Sequence, residues 1–114
     1  VDAMAISVGN VHLQTPSGDG LDEGRIRAIE AVTDVPLVIH GGSGVPVPQR
    51  TALARTSSIC KYNIGTELRM AFGAVLRDAV GADPDWFDRV QILKETHDPM
   101  VAVTRRVLAA LKPA

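Results

Sequence analysis

The most constraining feature of the sequence is an alternation of strand and helix signals that repeats three times. Short apolar runs at 3–8, 36–40 and 58–63 are each followed by a glycine-containing loop and then by apolar residues at helical spacing. Apolar runs of this length are typical of strands buried on both faces of a parallel sheet. Strands alternating with helices form such sheets through right-handed crossovers. We therefore predict an α/β fold that ends in a further helix.

Capping residues and stop signals place the helices. Asp22 is a typical N-cap ahead of the first helix. A weaker helix is predicted over 47–55, after two prolines. A stronger one begins at Thr66 and is predicted to stop at Gly81. Asp98, followed by proline, predicts the start of the last helix.

Composition argues against several classes of function. Lys plus Arg number 12 and Asp plus Glu number 13, giving a net charge of −1. That balance disfavours nucleic acid or an anionic membrane as a partner. No apolar run approaches the roughly 18–20 residues of a membrane span, and the start of the chain lacks a signal-peptide pattern. The lone Cys60, predicted to be a small buried residue, favours a reducing compartment such as the cytoplasm.

Two consecutive strand-to-helix loops carry groups suited to phosphate. The loop 40–44 has three glycines, which let backbone N–H groups approach an anion, and one serine hydroxyl. The loop 63–66 leads into a helix N-terminus. Tight turns without a ligand are the alternative, but in βα barrels phosphate often lies between the last two such loops. The candidate phosphate-binding residues are Gly41, Gly42, Ser43, Asn63, Ile64, Gly65 and Thr66.

Three histidines and one lysine are the other candidates for chemistry. His12 and His40 each follow a strand, at the sheet edge where α/β folds bind ligands. Together they would hold Zn²⁺ with a third ligand, although their spacing alone favours ordinary loop histidines. The position of His97 favours an exposed residue at a helix entry. Lys61 would form a Schiff base if buried, while a structural lysine is the simpler interpretation.

Four segments in a fixed order carry a family resemblance: VDAMA at 1–5, GNVH at 9–12, PLVIHGGSG at 36–44 and KYNIGTEL at 61–68. Together they resemble the class II, zinc-dependent fructose-bisphosphate and tagatose-bisphosphate aldolases. The resemblance implies a (β/α)₈ TIM barrel, which needs about 250 residues. Residues 1–114 would then be the C-terminal part of an aldolase domain, about strands 6–8 with a C-terminal helix. Alone, this part is expected to be marginally folded and inactive, because three strands cannot close a barrel.

The resemblance also implies roles for particular residues. His12 and His40 match two zinc ligands of the family. The third zinc histidine and the catalytic aspartate lie earlier in the family's sequence, so no catalytic residue is expected in this segment. Zinc would polarise the ketone during reversible carbon–carbon cleavage. The positions that match the binding site for the dihydroxyacetone phosphate half are Gly41, Ser43, Asn63 and Thr66.

Three positions depart from the family pattern. Leu13 replaces a glycine, which affects a backbone contact to phosphate or to a monovalent cation. Gly65 replaces an aspartate or alanine, and Met100 replaces an arginine that reaches a substrate phosphate, which weakens the case for a bisphosphate. The resemblance implies a cytoplasmic homo-oligomer, a dimer or tetramer, acting on a phosphorylated sugar in carbohydrate metabolism. A phosphate-binding barrel fragment without catalysis is the non-enzymatic alternative.

Overall fold

A computed structural model describes residues 1–12 and 19–112. Three short strands form a parallel sheet in the order β1, β2, β3. They are β1 (Met4–Ile6), β2 (Leu37–Ile39) and β3 (Ile59–Tyr62). Five α-helices are seen in this part of the chain, and they are α1 (Glu23–Glu30), α2 (Val47–Thr56), α3 (Thr66–Ala82), α4 (Arg89–Lys94) and α5 (His97–Leu111). The predicted α/β fold with a parallel sheet is confirmed for these residues.

The chain divides into two compact units. The sheet unit consists of residues 1–66 together with the chain from Ala110 onward, and the helical unit consists of residues 67–109. The prediction that residues 1–114 belong to one barrel domain stays a prediction. No helix within the described ranges is both long and apolar enough to cross a membrane.

The core of the sheet unit forms around its middle strand. All three residues of β2 are buried, and Leu37 and Ile39 are 0% exposed. A strand with neighbours on both sides and both faces covered needs apolar side chains at every position, which is why its sequence shows no polar alternation. Asp22 caps α1 as predicted, its carboxylate accepting from the Arg25 amide. The buried cluster comprises Ile6, Val8, Leu21, Ile26, Leu37, Ile39, Val45, Leu53 and Ile59.

Several local predictions are wrong, each for an identifiable reason. Cys60 is exposed because β3 is the last strand of the described sheet and is paired only with β2. Gly81 lies inside α3, which continues to Ala82. The last helix begins at His97, two residues before Pro99, the first helical residue that an N-cap at Asp98 predicts. The short helix α4, capped by Asp88, was not predicted because a six-residue helix shows too little periodicity.

Candidate active site

The two histidines that follow β1 and β2 lie beside each other. Their ring centroids are 5.7 Å apart and their planes are inclined by 52°. The adjacency follows from the topology, because parallel neighbouring strands deliver the residues after them to the same edge of the sheet. The structure therefore brings together His12 and His40, 28 positions apart in the sequence.

Asn10 fastens the end of β1 to the end of β2. Its side-chain oxygen accepts from the Val8 amide at 2.8 Å, and its side-chain nitrogen donates to the His40 carbonyl at 2.9 Å and to the Ile6 carbonyl at 3.3 Å. One side chain thus fixes the backbone from which both histidines project. Sequence reasoning did not single out Asn10, although an asparagine after a glycine at a strand end is a usable signal for such a turn.

Gly41 permits the close approach of the loops after β1 and β2. Its φ is 64°, a left-handed conformation that favours glycine. A Cβ at this position would lie 2.5 Å from the carbonyl oxygen of Val11 and 3.3 Å from the amide nitrogen of His12. The glycine immediately after His40 is therefore required for the backbone of His12 to pass so close.

Asn63, at the end of β3, is the third side chain at this edge. Its amide nitrogen lies 2.9 Å from Nδ1 of His40, and its backbone N–H donates to the Ile39 carbonyl at 2.8 Å. An amide can present either its NH₂ or its carbonyl oxygen to the imidazole. As placed, the NH₂ group donates to Nδ1 of His40, and only the rotated amide, whose oxygen would accept from Nδ1–H, leaves the lone pair of Nε2 for a metal.

The structure corrects the form of the predicted phosphate cradle. The Gly42 amide donates to the Asn63 carbonyl at 3.0 Å, and the Gly44 amide donates to the Gly41 carbonyl at 3.1 Å. Residues 42–44 form a 3₁₀ turn, and two of the N–H groups expected to face an anion, those of Gly42 and Gly44, are engaged within the protein. Gly42 instead packs beside Ile64 and joins the two loops. Phosphate binding by the predicted residues stays a prediction.

The donor set of the histidine pair suits zinc. With each nitrogen about 2.0–2.1 Å from a tetrahedral Zn²⁺, the two ring centroids would lie about 5.2 Å apart. The observed separation is 5.7 Å, about half an ångström more than that distance. In the ranges 1–12 and 19–112, no group of three or more His, Cys, Asp or Glu residues is placed to hold a metal. His12 and His40 alone would therefore supply part of a coordination shell.

Comparison with known proteins identifies the family. The family model of class-II fructose-bisphosphate aldolases matches residues 1–114. The chain belongs to the class-II fructose-bisphosphate aldolase family. It is also similar to the YdjI aldolase of Escherichia coli K12, known from an X-ray crystal structure, with 31% identity and a TM-score of 0.62. That similarity covers 96% of this chain and 36% of the E. coli chain, so the present chain spans about a third of that relative's length. The resemblance predicted from the motifs is confirmed.

Two other candidates for chemistry in this aldolase segment, Lys61 and His97, have surroundings of a different kind. Lys61 is exposed and lines a cavity of about 290 Å³ at the β3 edge, to which neither His12 nor His40 contributes. The Schiff-base alternative requires a buried lysine, and the residues that the structure describes leave Lys61 exposed. His97 belongs to the helical unit, is 75% exposed and contacts Asp98 at 2.7 Å, as expected for a helix-entry histidine. The departure at Leu13 lies outside the described residues.

The remaining predicted residues follow in the same two loops. Ser43, Gly65 and Thr66 are partly buried.

Beneath the loops lie two groups that sequence reasoning missed. Arg50 is 1% exposed and donates to the Gly42 carbonyl at 3.2 Å. Burial raises the pKa of Tyr62 to about 12, against the smaller opposing effect of the Arg50 charge.

Proposed function

We propose that this chain is the C-terminal part of a (β/α)₈ aldolase that reversibly cleaves a phosphorylated ketose with the help of zinc. The observation that carries the proposal is the pairing of His12 with His40 at 5.7 Å, with Asn63 in contact with His40. All three residues follow strands of one parallel sheet, at the edge where ligands bind in α/β folds. Family membership supports aldol chemistry as the reaction.

Each residue of the site has a proposed task. His12 and His40 supply two metal ligands, and Asn63 orients the His40 ring through Nδ1. Zinc, when bound, acts as a Lewis acid toward the ketone oxygen. The residues of this chain keep that site ordered: Asn10 fixes the two strand ends, and Gly41 lets the loops close together. The general base and the third metal ligand would come from the part of the barrel outside this chain.

The phosphate of the substrate is proposed to bind between the loops after β2 and β3. The amides of Gly42 and Gly44 are engaged within the protein. The proposed donors are the Ser43 hydroxyl and the backbone N–H groups of Gly65 and Thr66 at the start of α3, where the helix dipole favours an anion. A hydrogen bond from the Asn63 side chain to a substrate hydroxyl would complete recognition of a dihydroxyacetone phosphate half.

The substrate, the partners, the cellular location and the assembly of the protein are proposed on the same basis. A phosphorylated sugar such as fructose 1,6-bisphosphate is the substrate, and neither nucleic acid nor a membrane is a partner. The location is the cytoplasm, for which the free thiol of Cys60 is the supporting observation. The assembly is a dimer or tetramer.

The test is aldol cleavage by the full-length protein. Purified enzyme with Zn²⁺ should release dihydroxyacetone phosphate from fructose or tagatose 1,6-bisphosphate. A chelator should abolish this activity, and added Zn²⁺ should restore it. Borohydride reduction in the presence of substrate should leave Lys61 unmodified. Activity that survives the chelator, with a reduced adduct on Lys61, would replace the zinc proposal by the Schiff-base alternative. No cleavage at all would favour a non-catalytic phosphate-binding protein.

A further inference from the structure

A charged side chain occupies the core face of α2. Arg50 is 1% exposed and lies three residues before Leu53, which is also 1% exposed, so both face the interior of the sheet unit. A guanidinium is always charged at physiological pH, and burying it is unfavourable unless its N–H groups have fixed acceptors. An apolar residue would fill this position at lower cost, so the arginine needs an explanation from its contacts.

One contact of Arg50 is with Gly42, at the centre of the glycine loop. Its Nη1 donates to the Gly42 carbonyl at 3.2 Å, and the same oxygen accepts from the Val45 amide at 3.2 Å. The amide of Gly42 donates to the Asn63 carbonyl at 3.0 Å. Gly42 therefore joins three elements: α2 through Arg50, the turn through Val45, and the end of β3 through Asn63.

Gly42 stands next to the groups of the candidate active site. Its neighbour Gly41 holds the left-handed turn directly after His40, and the side chain of Asn63 contacts His40 at 2.9 Å. A displacement of Gly42 would therefore change both the approach of the two loops and the contact between His40 and Asn63. Arg50 is the side chain that restrains Gly42 from beneath, through a bond whose donor is buried and shielded from competing water.

We propose that Arg50 is a positioning residue, which holds the glycine loop after β2 against the end of β3 so that Ser43 and Asn63 meet the substrate in a fixed arrangement. This inference rests on the proposed function for its effect on catalysis. Its structural part, restraint of the Gly42 peptide, is independent of that function.

The decisive variant is Arg50→Met in the full-length protein, with Arg50→Lys and Leu53→Met for comparison. Replacing a buried ion by an apolar side chain of similar length is often neutral or stabilising. A purely structural arginine therefore predicts an unchanged or raised Tm with unchanged kinetics. The positioning role predicts that Arg50→Met stays folded while the KM for the phosphorylated ketose rises by about tenfold or more, with a smaller change in kcat. Arg50→Lys, which keeps one charged donor, should recover part of the loss, and Leu53→Met should change neither constant.

Hydrogen exchange separates this inference from the proposed function. In Arg50→Met, exchange at the Gly42 and Val45 amides should accelerate by about tenfold or more, while Leu53→Met leaves it unchanged. Unchanged exchange in Arg50→Met would overturn the inference whatever the activity. If exchange were faster but the KM of the active enzyme unchanged, the restraint would stand and the proposed effect of Arg50 on the substrate would be wrong. Faster exchange in a protein whose wild type cleaves no phosphorylated ketose would support the restraint and refute only the proposed function.

Discussion

The sheet unit and the helical unit bury their apolar residues to different extents. In the sheet unit Ile26, Leu37 and Ile39 are 0% exposed. In the helical unit residues 67–82 of α3 include none that is buried, and Phe87 is 94% exposed. The buried apolar residues described in this unit are Val103 and Val107, at 9% and 8% exposure. The predicted apolar stripe of α3 is present in the sequence, but its side chains are only partly covered by residues that the structure describes.

The difference explains where the candidate active site lies. A site needs backbone held to within a fraction of an ångström, and a closely packed core supplies that rigidity. The histidine pair, Asn63 and the glycine loop all belong to the sheet unit, in which β2 is buried on every face. Substitutions at closely packed positions of the sheet unit are therefore expected to change stability more than substitutions at exposed positions of the helical unit.

The largest expected difference concerns core side chains. Ile39→Ala removes a fully buried side chain from the middle strand and should lower the free energy of unfolding of the full-length protein by about 2–5 kcal/mol. Leu108→Ala, at a position 62% exposed, should change it by less than about 0.5 kcal/mol. Urea unfolding followed by circular dichroism measures both. Equal losses would show that the helical unit is as well packed as the sheet unit.

Replacing either of two glycines by alanine should change the stability of the protein, but in opposite directions. Gly41→Ala must place a Cβ against the Val11 carbonyl at a φ of 64°, and should destabilise the protein by about 1–3 kcal/mol. Gly81→Ala lies in α3 with no atom within 4 Å of the added Cβ, and should stabilise it by about 0.5–1 kcal/mol. Thermal unfolding measures the two shifts. If Gly41→Ala were neutral, the close approach of the two loops would be wrong.

The smallest expected change in stability is that of removing the Glu30 carboxylate, and this change depends on pH. The Ser58 amide, which donates to Glu30 at 2.6 Å, is the main cause that lowers the pKa of this carboxyl from its ordinary 4.5. Because the pKa is lower in the folded state, the stabilisation is present above pH 4.5 and is lost as the pH falls through the lowered value. Glu30→Gln should cost about 0.5–1 kcal/mol at pH 7.

The control for this carboxylate is Glu95→Gln, at an exposed position in the helical unit. Urea midpoints of the wild type and both variants, measured from pH 7 to pH 3, separate the two carboxylates. The difference between wild type and Glu30→Gln should shrink as the pH falls below 4.5. A difference that stays constant over this range would contradict the assigned role of the Ser58 contact.

More of the fold than of the candidate site could be predicted from the sequence, and the reasons are physical. Apolar runs and the Asp22 cap are local signals, and they located the strands and most helices. The placement of His12 beside His40 followed from parallel topology. The occupation of the Gly42 amide by Asn63 could not be predicted, because it depends on how two loops pack across the sheet. The burial of Arg50 was likewise hidden, since charged residues on a helix ordinarily face water.

His12 and His40 are proposed to hold one metal ion together. The most direct measurement is the Zn²⁺ affinity of the full-length protein, by competition with a chromogenic chelator, for the wild type and for His12→Ala, His40→Ala and His97→Ala. The account predicts that each of the first two substitutions lowers the affinity by at least about 100-fold, since removing a ligand costs more than removing its supporting contacts. His97→Ala, in the helical unit, should leave it unchanged. Wild-type affinity in either His12→Ala or His40→Ala would contradict the account.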